Sequence, residues 1–375
     1  MKITQNKLNE KPLWLFLIIG LCVYGAVLYF QPWENIERIL LGRNDFIQLY
    51  AGAKLVGTLN LYNGAALEQI QIEEAGMQSE NIHYTRLPFY AFLLQPLTWL
   101  PYRAAYTLFQ TINLLCFFWF LWQFIPASRE LAAFASISLP LYAMLENGQD
   151  VGLLLFLASS SVVLARRNLD FCAGLVLSLC AIKPHLFVLM PVVMILQRRW
   201  LILFGNAVGG VALLAVSFAV GGWNWPYAYW LNLAGQTKHL DYMSNIHTVS
   251  AQLGSGPLDF AVEIFLSACV VVITAFLALK IADYELAFTF GLIGSMLISF
   301  HSYTQDCLLL LLPLAIVLSR PVAKSVRSLT ELVASPIANA LMLVGTPFNI
   351  VMPCLLGGIL VLSARNLKSK IPSPA

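Results

Sequence analysis

The chain has 375 residues, 59% of them hydrophobic and only 11% charged, with a mean hydropathy of +0.75. Soluble domains carry about 25% charged residues, so this composition excludes a soluble globular protein and predicts an all-α polytopic membrane protein. A formal net charge of +3 over this length offers no basic field, which excludes nucleic acid as a partner.

Lys2, Lys7 and Lys11 precede the run from Pro12 to Phe30, about the twenty residues needed to cross hydrocarbon. The positive-inside rule predicts a cytoplasmic amino terminus. No small-residue cleavage site follows, so the run is expected to be retained as a first span. Residues 31–86 then form a first outer loop, patterned as three short amphipathic helices, Glu34 to Leu41, Asp45 to Val56 and Ala65 to Ala75, expected to lie flat on the membrane. Asp45 is the only acid between Leu41 and Tyr50. It has two readings: it merely starts a helix in which Asn44 or Asp45 is the N-cap, Phe46, Leu49, Tyr50 and Ala53 form one apolar stripe and Gly57 closes it, or it is a carboxylate that collects a proton from a hydroxyl beside the bilayer.

The loop ends in His83-Tyr84-Thr85-Arg86, with Pro88 a suitable first residue for the next helix. Leu87 to Leu100 is too short for an ordinary span and is separated by Pro101 from the longer Ala104 to Gln123. Leu131 to Leu145, the polar turn Glu146 to Asp150, and Val151 to Ala165 follow, closed by Arg166-Arg167. An outer first loop and inner arginines conflict if each segment crosses once, so one short segment must fail to cross, Leu87 to Leu100 being the shortest. Lys183-Pro184-His185 divides a helical hairpin set between Arg166-Arg167 and Arg198-Arg199. Residues 222–256 form a second outer loop, rich in Trp and Tyr as an aromatic belt and carrying Lys238, His239, Asp241 and His247. Later spans pass His301 to Asp306 on the outer side, turn around Gly345-Thr346-Pro347, and end at Arg365, Lys368 and Lys370, giving a cytoplasmic carboxyl terminus. Residues 1–375 read as one integral membrane domain of about 11–13 helices. The seven cysteines stand singly without C-x-x-C spacing and read as small core residues.

Charges at membrane depth are costly and are usually retained for work. Asp45, Arg86, Asn147, Gln149, Asp150, His301, Gln305 and Asp306 all fall on the predicted outer side, with Lys183 and His185 pointing toward it. Such a rim suits a polar, charged ligand. The alternative is structural, with Lys183-Pro184 a satisfied kink and Asp306 an ion-pair partner of Arg86 or Lys183.

The order of Asp45-Phe46, Leu61-Tyr62, Leu87-Pro88-Phe89-Tyr90, Tyr102-Arg103-Ala104-Ala105-Tyr106, Asn147-Gly148-Gln149, Ala173-Gly174-Leu175 and Lys183-Pro184-His185 resembles glycosyltransferase family 87, the polyprenyl-phosphate-mannose-dependent mannosyltransferases. Arg86-Leu87-Pro88 departs from the Tyr-Pro-Pro often found in that family. The resemblance implies a GT-C-like bundle in the cytoplasmic membrane, facing outward. It also implies an inverting transfer of a sugar from a polyprenyl-phosphate donor to a lipid or glycan acceptor, with Asp45 as general base. Arg86, Lys183 and His301 are candidates to stabilise the phosphate. No D-x-D pair stands in the first loop, so no metal or other cofactor is expected, although Asp150 and Asp306 leave a divalent ion open. The alternative is a transporter or flippase of a lipid-linked sugar, which would be expected to show two halves of related pattern.

Overall fold

The computed structural model describes residues 32–76, 83–127, 130–234, 243–253 and 256–368, with isolated positions before residue 32. The amino-terminal lysines, nearly all of the expected first span, and Lys238, His239 and Asp241 lie outside the described residues. The described elements are α or 3-10 helices, apart from an isolated bridge between Met243 and Tyr303.

The first loop folds close to its sequence pattern. Helix α1 (Trp33–Leu41) closes on Gly42 in the left-handed conformation, α2 is Phe46–Leu55, and α3 (Gly64–Ala75) starts where the Asn63 side chain accepts the Ala65 and Ala66 N–H groups and stops at left-handed Gly76. The expectation that all three lie on the membrane surface fails for α2. Residues Phe46 to Ala53 are buried in the protein, and the Phe46 ring lies 5.5 Å from Tyr106 and 4.8 Å from Phe109, centre to centre. An apolar stripe has the same sequence whether it meets lipid or a neighbouring helix, and here it meets helices.

Helix α4 (Pro88–Leu94) passes into a 3-10 turn, Gln95–Trp99, and α5 (Tyr102–Phe124) follows. The Tyr50 hydroxyl donates to the Leu100 carbonyl at 3.1 Å, and the Tyr102 hydroxyl donates to Gly42. The stretch from Leu87 to Leu100 therefore begins and ends beside the first loop. Seven α-helical residues and five in the 3-10 turn rise only about 20 Å against about 30 Å of hydrocarbon. This is the segment that fails to traverse, and the crossing conflict disappears.

Helix α5 runs to the far end, where the Arg166 guanidinium stands 4.8 Å over the Phe124 ring. The return, expected as one helix, is broken at Ser138 into α6 (Glu130–Ser136) and α7 (Leu139–Glu146). Helix α8 (Val151–Arg166) leads back to the far end. The hairpin rises as α9 (Asp170–Ser178), tightens into 3-10 turns on both sides of Lys183, and descends as α10 (Met190–Leu196). Its feet are joined by Arg199 and Asp170, 3.2 Å apart. Helix α9 packs on α11 (Trp200–Gly221) backbone to backbone: a Cβ on Gly174 would sit 2.0 Å from the Ile202 carbonyl oxygen.

Helix α11 returns beside the first loop, where Val220 accepts the Gly57 N–H at 3.0 Å. Helices α12 (Trp225–Ala234) and α13 (Ile246–Ser250) lie there, α14 (Pro257–Lys280) descends, and α15 (Tyr284–Ile298) ascends. A 3-10 helix, Thr304–Leu310, continues as α16 (Leu311–Leu318) back to the far end. There Arg166 and Arg320 converge on Glu285, at 2.6 and 3.0 Å, with Arg320 also 2.7 Å from Asp283. Helix α17 (Lys324–Ala334) crosses this end, its Arg327 bound to Glu130, before the last pair, α18 (Pro336–Val344) and α19 (Val351–Lys368). Among the described residues four helices are long and apolar enough to cross a membrane, Tyr102–Phe124, Trp200–Gly221, Pro257–Lys280 and Phe348–Leu367. Val151–Arg166, Asp170–Ile182, Pro184–Leu196, Tyr284–Ile298 and Thr304–Leu318 are shorter apolar helices. The protein is an all-α polytopic membrane protein.

Candidate active site

Five ionisable groups from five parts of the chain meet at the end of the bundle that carries the first loop. The turn between α7 and α8 is their scaffold. Gly148 sits there at φ +63°, and a Cβ on it would lie 2.3 Å from Asn44 Oδ1, so only glycine lets the first loop dock this closely. Asn44 donates to the Glu146 carbonyl at 2.9 Å and to the Tyr106 hydroxyl at 3.1 Å, while its Oδ1 accepts the Phe46 N–H. Asn44 thus supplies the cap that opens α2, which leaves Asp45 free of the N-cap duty that its sequence position allowed.

The Asp45 N–H donates to the Asn147 carbonyl at 3.1 Å, and its carboxylate Oδ2 accepts from the Gln149 amide nitrogen. The amide oxygen of the same Gln149 accepts from Lys183 Nζ at 2.9 Å and from Arg86 Nη2 at 3.2 Å. One neutral side chain thereby connects the Asp45 carboxylate to two cations. Arg86 grips Asp150 through two bonds of 3.2 Å, and Lys183 lies 2.7 Å from Asp306 and 3.6 Å from Asp150. Asp150 and Asp306 have no exposed surface, and Arg86 and Lys183 keep only 4% and 2% of theirs. Charges so withdrawn from water persist only when paired.

Each partner is aimed by local backbone. Lys183 precedes Pro184, which bars it from the helical region, and both flanking segments tighten to 3-10 as they reach it. Asp306 Oδ2 accepts the Tyr303 N–H at 3.0 Å while the Asp306 N–H returns to the Tyr303 carbonyl at 2.9 Å. Arg86 is fixed by the Tyr62 hydroxyl on its carbonyl at 2.8 Å and by Thr85 Oγ1, 3.1 Å from its Nη1; the Thr85 hydroxyl in turn donates to Gln48.

Asp45, unlike the other two acids, is partly exposed. Desolvation raises its carboxyl above the ordinary 3.8, partly opposed by the Gln149 hydrogen bond and by Lys183, Arg86 and Arg38. Asp150 moves the other way: burial pushes it up, but Arg86 and Lys183 more than offset that and hold it below the ordinary carboxylate value. The two environments therefore move two carboxyls of one network in opposite directions.

Of the residues singled out in the sequence, Asp45, Arg86, Gln149, Asp150, Lys183 and Asp306 are joined by direct contacts, with Asn147 attached through its carbonyl. His185 and His301 lie alongside, ring centres 5.9 Å apart, with His301 also 4.5 Å from the Tyr303 ring. Gln305 is buried in the same 3-10 helix as Asp306, and no bond ties it to the network among the described residues. The sequence reading offered Asn44 as a cap, which it is, and missed Gln48, Thr85 and Arg38. Gln48 was legible: it stands about one helical turn beyond Asp45, a polar residue in the apolar stretch from Phe46 to Ala53.

The sequence profile of glycosyltransferase family 87 matches residues 84–313, more than half of the chain. The chain belongs to glycosyltransferase family 87. It is therefore a membrane glycosyltransferase. The matched stretch contains Arg86, Gln149, Asp150, Lys183, His185, His301 and Asp306, whereas Asp45 precedes it. No curated protein and no solved structure matches the chain.

Proposed function

We propose that this family 87 enzyme moves a sugar, mannose on its family resemblance, from a polyprenyl phosphate to a hydroxyl of a lipid or glycan acceptor, with inversion. Asp45 is the general base. The observation that carries this reading is the Gln149 bridge, which puts one partly exposed carboxylate within a single side chain of two buried cations.

Asp45 Oδ2 is occupied by Gln149, and Oδ1 accepts no bond from a described residue, so the acceptor hydroxyl can donate to Oδ1. As that proton passes to Asp45, the acceptor oxygen bonds to the anomeric carbon and the bond from that carbon to the phosphate oxygen breaks on the opposite face. The departing phosphate keeps the electron pair and needs no proton donor at neutral pH. Arg86 and Lys183, with His301 at the margin, stabilise the charge it gains. Because each cation already holds an acid, the phosphate must share rather than displace, and Gln149 keeps base and cations in register.

The same reading sets the site on the outer face of the cytoplasmic membrane. Arg166 and Arg320 share Glu285, Arg199 holds Asp170 and Arg327 holds Glu130 at the far end of the bundle, a gathering of arginines that supports that end being cytoplasmic. Membranes carrying wild-type protein or Asp45→Asn, given labelled polyprenyl-phosphate mannose, test the proposal. Transfer should fall by about 10²–10⁴-fold in the variant at unchanged protein level. Near-normal transfer would remove Asp45 as the base.

A further inference from the structure

A second charged site lies at the same end of the bundle and belongs to none of the chemistry above. A groove opens between the last turn of α3 and the first turn of α5, lined by Leu41, Arg43, Glu74, Gly76, Tyr102 and Arg103. Glu74 is paired with Lys54. Neither Arg43 nor Arg103 makes an ion pair among the described residues, so the groove holds two uncompensated positive charges. Arg43 is anchored but, among the described residues, not neutralised: its Nε donates to the Ala75 carbonyl at 2.8 Å, which fixes the guanidinium at the groove wall, and no described residue accepts from its terminal nitrogens. Arg103 stands exposed in the first turn of α5, where the helix dipole adds to its attraction for an anion.

The surroundings decide the source of that anion. Trp99, 82% exposed, ends the 3-10 turn just before α5, and Trp33, 69% exposed, begins α1. Phe92, Leu93 and Leu40 are exposed nearby in sequence. Exposed tryptophans beside arginines at the start of a membrane-length helix mark the headgroup level of a bilayer. A free anion has no use for that apolar rim, whereas a lipid has acyl chains to lay on it.

We infer that the groove between Arg43 and Arg103 binds the phosphate of an anionic lipid headgroup, with Arg43 as the fixed fork and Arg103 as the closing cation. The site does not depend on Asp45 being the base. It has a bearing on that residue, because Arg43 is separated from Asp45 only by Asn44, and Gly42 is clamped by the Tyr102 hydroxyl. An occupied groove steadies the segment that carries the carboxylate.

Purified protein in uncharged detergent, titrated with dioctanoyl-phosphatidylglycerol, dioctanoyl-phosphatidylcholine or inorganic phosphate, tests this by binding and by thermal shift. Wild type should bind the phosphatidylglycerol saturably, with the phosphatidylcholine and inorganic phosphate much weaker. Arg103→Gln, on an exposed side chain, should keep the lipid-free melting temperature and lose at least about tenfold in affinity. Arg43→Lys, which keeps the charge but cannot both hold Ala75 and fork onto phosphate, should weaken binding as well. Lys324→Gln, exposed on the far-end helix, should leave binding unchanged. Wild-type affinity in either arginine variant would overturn the site, equal binding of phosphatidylcholine would overturn its charge selectivity, and equal binding of inorganic phosphate would overturn the lipid as its ligand.

Discussion

Replacing Lys183 by Met keeps the apolar stem and deletes the ammonium. That ammonium lies 2.7 Å from Asp306, 2.9 Å from the Gln149 amide oxygen and 3.6 Å from Asp150, with both carboxylates fully buried. After the substitution Asp150 retains Arg86, but among the described residues Asp306 keeps only the Tyr303 N–H. Removing one partner of a buried pair costs about 3–5 kcal/mol, most of it the penalty of the stranded charge. At about 2 °C per kcal/mol for a chain of this size, the melting temperature should drop by about 6–10 °C. Adding Asp306→Asn removes the stranded charge, so the double variant should regain most of the loss. Sugar transfer should stay low in the double variant, because the cation next to Gln149 is still missing. Thermal unfolding in nanodiscs and transfer on the same samples give both readouts. A Lys183→Met protein that melts like wild type, or a double variant no more stable than the single, would refute the ion-pair account. Full activity in the double variant would refute Lys183 as a phosphate-stabilising cation.

The remaining expectations follow from the same network. The raised carboxyl of Asp45 means that the base is lost as pH falls through a value above the ordinary 3.8, so the acidic limb of the transfer rate should lie higher than for a free aspartate and vanish in Asp45→Asn. The Gln149 bond favours the ionised form of Asp45, so Gln149→Leu should move that limb to still higher pH while lowering the maximal rate. Gly148→Ala must fit a Cβ 2.3 Å from Asn44 Oδ1 at a positive φ; it should lower the melting temperature by an amount equivalent to about 1–3 kcal/mol and reduce transfer.

Local signals in the sequence carried far. Gly76 ends its first-loop helix where its chemistry predicts, the Asn63-Gly64 turn supplies the cap that starts it, and Pro184 marks the break that presents Lys183. What stayed hidden depends on partners distant in the chain. Periodicity could not tell that α2 packs against α5 rather than lipid, since both are apolar. The polar residues of the rim could be collected on one side by counting charges. Their pairing could not be read, because Arg86 finds Asp150 64 residues away and Lys183 finds Asp306 123 residues away. The part of Gln149 as a bridge was invisible for a further reason: an amide has no charge to betray its neighbours.

Asp150 touches both cations, and its position in the chain matters during synthesis. A ribosome adding about 5–20 residues per second delivers Asp306 roughly 6–25 s after Lys183 has emerged. Through that interval a lysine at the tip of an apolar hairpin would be stranded were Asp150, already made, not beside it. In the finished structure the late acid holds the shorter contact to Lys183, and Asp150 has the bidentate grip of Arg86. Asp150 is in this sense an assembly partner before it is a part of the finished site. Its loss should therefore appear first as poor membrane integration of the nascent chain, whereas loss of Asp306 should appear only in the completed protein.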